Sequence, residues 1–356
     1  MAQTKNKKLY LEALRILCIF LVIFNHTAPD GYLAFIGENN ILLYFLYLFC
    51  SVLCKIAVPI FFMISGALLL GKQESIRDLY KKRVLRMVIV LVLISIPNYI
   101  WLSKDTPLSV VGFLCTIYTG TARTALWYLY AYLGFLIMLP FLRSMAAQMK
   151  DRDYKYLLTL HIVLTVVLTV LDGFIFSEWH SPDFSVAVAL ESSIFYPLMG
   201  YYVEHVLDQS VFTPKNRWLA GAAFVAAIAI TCVVSKLYYN SYPLALDNDV
   251  YQTCFGILIC IPAIAVYFIF KGAVKIDPDG FIGRWIARLG GAVFGLYLIE
   301  NFCRALVFHA LPRLAPILGG FLSTILLVLA TMAMGFAIVL LLKNTPFLKK
   351  FVNKFI

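Results

Sequence analysis

The chain has 356 residues, of which 62% are hydrophobic and 14% are charged, and its formal net charge is +11. Soluble domains carry about 25% charged residues and fewer than half apolar ones, so this composition excludes a water-soluble fold and requires lipid as solvent. The apolar runs are long and continuous, whereas a membrane β-barrel shows segments of about ten residues with alternating polarity. The sequence therefore predicts an all-α, multi-pass helix bundle in the cell membrane.

A lipid core of about 30 Å requires about 20 helical residues, and about ten apolar runs meet this length. We predict spans at residues 12–29, 42–70, 84–102, 125–145, 155–176, 185–207, 217–238, 250–271, 287–310 and 315–343. The second and last runs are long, so they either tilt or begin on the membrane surface. The apolar stretch 107–119 is short, which predicts a re-entrant or surface segment.

The first apolar stretch resembles a secretory signal peptide, because Lys5, Lys7 and Lys8 precede it. Arg15 interrupts the stretch, however, and no small-residue cleavage site follows it. We therefore expect a retained first span within a single transmembrane domain that covers residues 1–356.

The distribution of basic residues predicts the orientation of the spans. With a cytoplasmic N-terminus, the inner segments hold 23 of the 30 Lys and Arg residues and the outer segments hold four. This bias follows the positive-inside rule and predicts that both termini are cytoplasmic. It also places the positive charge against anionic membrane lipid, so no nucleic-acid partner is expected. The remaining three cations lie within spans: Arg15, Lys55 and Arg304.

The first span carries the most informative polar residues. An ionisable residue inside a span costs several kcal/mol unless it is paired or hydrated, so each is a functional candidate. Arg15 and His26 are eleven residues apart, which places them about 20° apart around a helix and about 16 Å apart along it. Glu12 lies one turn before Arg15 and is suited to pair with it. The alternative is an Arg that extends to the membrane surface and a hydrated His at the outer end.

Two further patterns indicate chemistry at opposite ends of the bundle. His26 lies beside polar neighbours, and a neutral imidazole can take a hydroxyl proton near pH 7, which makes it the candidate general base. Arg83 and Arg86 are three residues apart, so one helical face presents both guanidiniums at the inner surface. Paired guanidiniums suit phosphate binding, although anchoring by inner positive charge explains them equally.

Acidic residues within the spans show the opposite placement. Asp172, Glu191 and Glu300 fall in the middle or outer halves of the fifth, sixth and ninth spans. They predict an acidic outer vestibule that binds a polar ligand, and hydrogen bonding between helices is the alternative. Its walls would be aromatic: Trp127, Tyr128 and Tyr297.

Small and sulfur-containing residues complete the list of candidates. Ser65 and Gly66 indicate close helix packing or a polar point inside the second span. The eight cysteines form no CxxC pair and no Cys/His spacing typical of a metal site, so no metal ion is expected.

These landmarks, in this order, resemble the acyltransferase-3 family of integral membrane acyltransferases. The resemblance covers residues 9 to about 310. It rests on Arg15 and His26 in the first span, Val58, Pro59, Phe61, Phe62, Ser65 and Gly66 in the second, Arg83 and Arg86 before the third, Trp127, Tyr128 and Leu129 in a middle span, and Tyr297, Leu298, Ile299 and Glu300 near the end. Many members have a second His where this chain has Glu300, and Glu12 replaces the more usual Asp. A role of that late His therefore does not transfer directly, although Glu300 can accept a hydrogen bond or a proton.

The resemblance implies acyl transfer from cytoplasmic acyl-CoA, usually acetyl-CoA, to a hydroxyl of an extracytoplasmic carbohydrate or lipid-linked acceptor. Arg83 and Arg86 would hold the CoA phosphates, with Ser65 near the donor. The acyl arm would pass Arg15 and reach His26, which takes the hydroxyl proton directly or forms an acyl-His intermediate. The oxyanion donor would be Arg15 or Tyr297. The acceptor would meet Glu12, Trp127, Tyr128, Asp172 and Glu191.

A transporter of a small polar metabolite or amino acid is the alternative function. Membrane regions similar to this one include the serine-uptake region fused to racemases linked with vancomycin resistance. Against transport, the sequence shows no repeat of broken spans and no fused racemase domain. A catalytically inactive structural or sensor protein is a third possibility.

Overall fold

The structure is a computed structural model that describes residues 8–27, 30–103, 107–120, 124–170, 192–241 and 258–346. Throughout these ranges the chain forms helices and turns without a β-strand, which confirms the all-α prediction. In chain order the α-helices are α1 Leu9–Asn25, α2 Ile41–Cys54, α3 Ala57–Leu69, α4 Ile76–Leu79, α5 Leu85–Leu102, α6 Val110–Thr119, α7 Trp127–Gln148, α8 Asp151–Val170, α9 Ser192–Tyr201, α10 Pro214–Ser241, α11 Cys260–Ala273, α12 Phe281–Gly290, α13 Val293–Val307, α14 Leu311–Leu318 and α15 Gly320–Asn344. A π-helical segment, Tyr80–Val84, joins α4 to α5, and a second, Tyr202–Val206, follows α9.

Several helical segments are long and apolar enough to cross a membrane. Within the described ranges there are six: Ile41–Leu69, Ile76–Leu102, Trp127–Gln148, Pro214–Leu237, Val293–Leu318 and Gly320–Asn344. Helices α1 and α11 are shorter, with 17 and 14 residues. The predicted spans 155–176, 185–207 and 250–271 extend into residues outside the described ranges. The chain is therefore a membrane helix protein, while the count of about ten spans and the cytoplasmic termini stay predictions.

Local sequence signals explain where several helices begin and end. Asn40 caps α2 by accepting hydrogen bonds from the backbone N–H groups of Leu42 and Leu43. The apolar stretch 107–119 forms α6, which ends at Gly120 with φ of 70°. The predicted span 42–70 is divided at Lys55 between α2 and α3, and 287–310 is divided after Gly290 between α12 and α13.

Helix α1 is the element around which the described bundle packs. It contacts α2, α3, α11, α12, α13 and α15. Leu14, Cys18, Ile19 and Ile23 on α1 are fully buried. These side chains fill the space between neighbouring helices, whereas Arg15 and Asn25 of α1 and the adjoining His26 line a cavity.

Two glycines allow α3 and α9 to cross at backbone contact. A Cβ atom at Gly66 would overlap the backbone of Pro197, and one at Gly200 would overlap the backbone of Met63. Small residues permit such approaches between membrane helices. Gly66 therefore has the packing role that its sequence context indicates.

We expect Gly200→Ala to destabilise the protein by about 1–3 kcal/mol, because the added methyl group overlaps backbone that cannot rotate away. Gly221→Ala on α10 is the matched control, since nothing lies within 4 Å of its Cβ position. Its expected effect is neutral or stabilising by up to about 1 kcal/mol. Thermal unfolding in detergent measures both variants, and equal midpoints would contradict the close crossing.

Candidate active site

A cavity of about 770 Å³ opens between the helices and brings most of the predicted site residues together. The predicted residues that line it are Arg15, His26, Ser65, Arg83, Arg86, Trp127, Tyr128 and Tyr297. Glu12 and Glu300 stand directly behind it, each in contact with a lining residue. Asp172 and Glu191 lie outside the described residues, so their part in an acidic vestibule stays a prediction.

Helices α1 and α3 run antiparallel along this cavity. Lys8, which precedes α1, donates to Glu204 at 2.5 Å. The neighbouring His205 contacts the carbonyl of Ala67 through Nε2 at 2.8 Å, near the end of α3. Along the helix axes, the start of α1 therefore lies beside the end of α3. Because the two helices are antiparallel, His26 lies beside the start of α3. We call the part of the cavity beside His26 the histidine end.

The opposite end holds the two guanidiniums predicted to bind phosphate, and we call it the arginine end. Arg143 Nε donates to the carbonyl of Leu69, the last residue of α3, at 3.0 Å. Arg143 Nη2 also donates to Glu74 Oε1 at 2.9 Å. Arg83 binds the same carboxylate with two donors, Nε at 2.8 Å and Nη2 at 3.1 Å. Glu74 thus holds Arg83 at the end of α3, which is the end of the cavity away from His26.

At the histidine end, His26 Nδ1 lies 3.1 Å from Glu300 Oε1. The Glu300 side chain is 2% exposed, whereas that of His26 is 20% exposed and lines the cavity. An ionised carboxylate can accept a hydrogen bond but cannot donate one, so this contact favours the tautomer with the proton on Nδ1 and the lone pair on Nε2. In that tautomer, Nε2 can accept a proton.

Arg304 provides a positive charge behind this pair. Its Nε atom lies 3.6 Å from Glu300 Oε2, one helical turn away on α13. A buried carboxylate without a cation is strongly unfavourable, and Arg304 offsets part of that cost. When His26 accepts a proton, Glu300 faces a cation on both sides.

Arg15 occupies the stretch between the two ends. Its Nη1 atom donates to Glu12 Oε1 at 2.8 Å, which confirms the pairing that their spacing predicts. Glu12 is 3% exposed and packs on Gly290, where a Cβ atom would overlap its carboxylate. Because eleven residues of helix place Arg15 about 16 Å from His26, Arg15 lies along the cavity, away from the reacting end.

Arg86 differs from the other arginines of the cavity. Arg15 pairs with Glu12, and Arg83 pairs with Glu74. In the part of the chain that the structure describes, no carboxylate lies within ion-pair distance of Arg86. Its charge is therefore available to an anionic ligand at the arginine end.

Aromatic rings form one wall of the cavity. Tyr128 stacks on Tyr132 with ring centroids 5.9 Å apart and meets Tyr297 edge-on at 5.8 Å. The Tyr297 hydroxyl donates to the carbonyl of Ala125 at 2.6 Å. Its proton is therefore engaged, and donation to an oxyanion would require the hydroxyl to leave that carbonyl. Trp127 is 51% exposed at the edge of this wall.

Ser65 lines the cavity from α3. Its hydroxyl donates to the carbonyl of Phe61, one turn earlier, at 2.8 Å. The oxygen can still accept a hydrogen bond, so Ser65 presents an acceptor rather than a free donor. Its predicted role beside the donor substrate stays a prediction.

Sequence reasoning assigned no role to five residues that the structure brings to this site. Lys55 and Arg304 were visible as cations within spans, which is the signal for a functional residue. Glu74 lies in a predicted inner loop and Arg143 near the inner end of the predicted span 125–145, where charges look like ordinary anchors. Asn25 lines the cavity beside His26, and its side-chain Oδ1 is buried without a hydrogen-bond partner in the described chain.

Comparison with known proteins gives one match. The sequence profile of a family described as an acyltransferase domain matches residues 8–343. No curated protein and no solved structure matches the chain. The matched region includes every residue of the cavity discussed above.

Glu74 gives the arginine end a defined pH dependence. Hydrogen bonds from Arg83, reinforced by Arg143, lower the pKa of the Glu74 carboxyl to about 2. A carboxyl whose pKa is depressed in the folded state stabilises the protein above its unfolded pKa, and this contribution disappears as the pH falls through the folded pKa. The carboxyl contributes fully above about pH 4.5, the ordinary pKa of a glutamate side chain, and loses its contribution between there and about pH 2.

We expect Glu74→Gln to lower the free energy of unfolding by about 1–3 kcal/mol at pH 6, because two guanidiniums lose their shared carboxylate. The difference from wild type should shrink as the pH falls toward 3, as followed by thermal unfolding across this range. Asp78→Asn is the control, since its ion pair with Lys82 is exposed and contributes little. A difference that is constant with pH would show that Glu74 is not ionised in the fold.

Proposed function

Because the chain belongs to the acyltransferase-3 family of membrane acyltransferases, we propose that it transfers an acyl group from acyl-CoA to a hydroxyl of a carbohydrate or lipid-linked acceptor. Acetyl-CoA is the expected donor. The observation that supports this proposal best is the shared cavity, which joins the guanidiniums of Arg83 and Arg86 to the His26–Glu300 pair. Family membership favours acyl transfer over transport.

The donor enters at the arginine end, and the excess of Lys and Arg in the adjoining loops supports a cytoplasmic location for this end. Arg86 and the remaining donors of Arg83 bind its phosphates, with Lys82 beside them at the cavity. Coenzyme A carries its phosphates at one end and its thioester at the other. The uncharged arm therefore lies along the cavity past Arg15 and Ser65, and the thioester reaches the histidine end.

The acceptor hydroxyl meets His26 from the outer side. Nε2 takes the hydroxyl proton, and the oxygen attacks the thioester carbonyl. The C–S bond breaks, the CoA thiolate leaves and takes the proton back from the imidazolium, and a new ester remains. Glu300 holds the imidazole through Nδ1 and stabilises its transient positive charge.

The tetrahedral oxyanion requires a donor close to His26. Arg15 lies too far along the helix for this role, because about 16 Å separates the two positions. The side-chain amide of Asn25 lines the cavity next to His26 and offers N–H groups of the kind that stabilise such oxyanions. Asn25 is therefore the proposed donor, with Tyr297 as the alternative if its hydroxyl turns away from Ala125.

We expect His26→Ala to lower acyl transfer by at least about 100-fold, because no other group takes the hydroxyl proton. Glu300→Gln should lower the rate by a similar factor, since an amide does not stabilise the imidazolium. Purified protein with labelled acetyl-CoA measures product formation and donor loss. Both variants should still bind CoA, so binding serves as the folding control. Wild type that neither binds nor consumes acetyl-CoA would reject the proposed function.

The donor side has a separate test. We expect Arg86→Ala to weaken CoA binding by about tenfold, because the substitution removes a guanidinium that is free to bind a CoA phosphate. Arg77→Ala is the matched control, since Arg77 is exposed on α4 and does not line the cavity. The same binding measurement with dephospho-CoA, which lacks the 3′-phosphate, shows which phosphate Arg86 binds. A smaller loss for dephospho-CoA assigns Arg86 to the 3′-phosphate, whereas an unchanged CoA affinity contradicts its role.

A further inference from the structure

The charges of the cavity point to the chemistry of the acceptor, an inference that rests on the proposed function. Within the described residues, no carboxylate lines the cavity. The lining contains five cationic side chains: Arg15, Lys55, Lys82, Arg83 and Arg86. Three of the five have an ion-pair partner: Arg15 pairs with Glu12, Arg83 pairs with Glu74, and Lys82 forms an exposed pair with Asp78. In the described parts of the chain, Arg86 and Lys55 are the two that have none.

Lys55 lies at the histidine end. It follows the last residue of α2 and precedes α3, whose far end marks the arginine end. Its Nζ atom lies 4.6 Å from the centroid of the Tyr32 ring. The Tyr32 backbone N–H donates to Thr27 Oγ1 at 3.2 Å, and Thr27 directly follows His26. Lys55 is thus tied to the segment that carries the proposed base.

The donor substrate provides no charge for Lys55 to bind. The CoA phosphates lie at the arginine end, and the length of α3 separates that end from Lys55 by about 20 Å. The thioester and the arm beside it are uncharged. The Tyr32 ring offers partial compensation through a cation–π contact, which leaves most of the desolvation of an ammonium unbalanced.

We infer that Lys55 binds an anionic group of the acceptor, so that the enzyme acts on a carbohydrate that carries a phosphate or carboxylate near the acylated hydroxyl. Such a group would complete the ion pairing of the cavity when the acceptor is bound. Specificity follows, because a neutral acceptor leaves the ammonium without a counter-ion. This assigns Lys55 to substrate recognition and leaves proton transfer with His26.

The test uses the full-length protein in lipid nanodiscs with labelled acetyl-CoA and three acceptor probes. The probes are methyl glucoside, methyl glucoside 6-phosphate and methyl glucuronide, which share hydroxyl groups and differ in charge. We expect wild type to prefer at least one anionic probe over the neutral one by about tenfold or more in kcat/KM, because a charged contact is formed. The phosphate and carboxylate probes show which anion is bound.

Lys55→Gln should abolish this preference, so that the kcat/KM values for the anionic and neutral probes become about equal. Lys55→Arg should retain the preference because the charge remains. Lys236→Gln is the matched control, since Lys236 also lies over a tyrosine ring, 4.1 Å from the centroid of Tyr44, but does not line the cavity. Its preference should equal that of wild type. Thermal unfolding of each variant separates a folding defect from lost recognition.

The negative results fall into two groups with different meanings. Wild type that consumes acetyl-CoA but shows no anion preference, or accepts none of the probes, overturns the assignment of Lys55. An anion preference that survives Lys55→Gln overturns it as well. Wild type that leaves acetyl-CoA intact with and without the probes rejects the proposed acyl transfer itself.

Discussion

The contact between His26 and Glu300 is the interaction on which the proposed chemistry of this protein depends. Glu300 is buried, and in a membrane bundle a buried carboxylate is tolerated when charge and hydrogen bonds compensate it. His26 Nδ1 and the Arg304 guanidinium provide both. The same contact favours the imidazole tautomer that the proposed proton transfer requires, so the contact that makes Glu300 tolerable also suits His26 to that role. The contact between His26 and Glu300 therefore serves both the stability of the fold and the proposed reactivity of His26.

Other charged residues at the cavity are also compensated by an oppositely charged partner. Glu12 compensates Arg15 within α1, and Glu74 compensates Arg83 together with Arg143. The cations with a partner hold the walls in place, whereas Arg86 and Lys55 leave positive charge at opposite ends. A donor with phosphates at one end and an uncharged thioester at the other suits this distribution. Under the proposed function, the same distribution would let one cavity receive the donor and the acceptor from opposite sides.

The sequence predicted those parts of the site that depend on local geometry. Helical spacing was sufficient for the Glu12–Arg15 pair and for the placement of Arg15 and His26 along one cavity, because both belong to a single helix. It could not predict that Glu300 contacts His26 across 274 residues, since that depends on how α13 packs on α1. Glu74 was missed for the same reason, because its partners come from two different helices. The division of span 42–70 at Lys55 was also invisible, since the apolar run continues through it.

The most direct test of this account is a cryo-electron microscopy structure with a non-hydrolysable thioether analogue of acetyl-CoA. The account predicts phosphate density against Arg86 and Arg83, an arm that passes Arg15, and the acyl carbonyl within hydrogen-bonding reach of His26 and Asn25. Density for the analogue on another surface would contradict it. So would side chains that close the cavity between Arg15 and His26 while the analogue is bound, because the donor could then never meet the base.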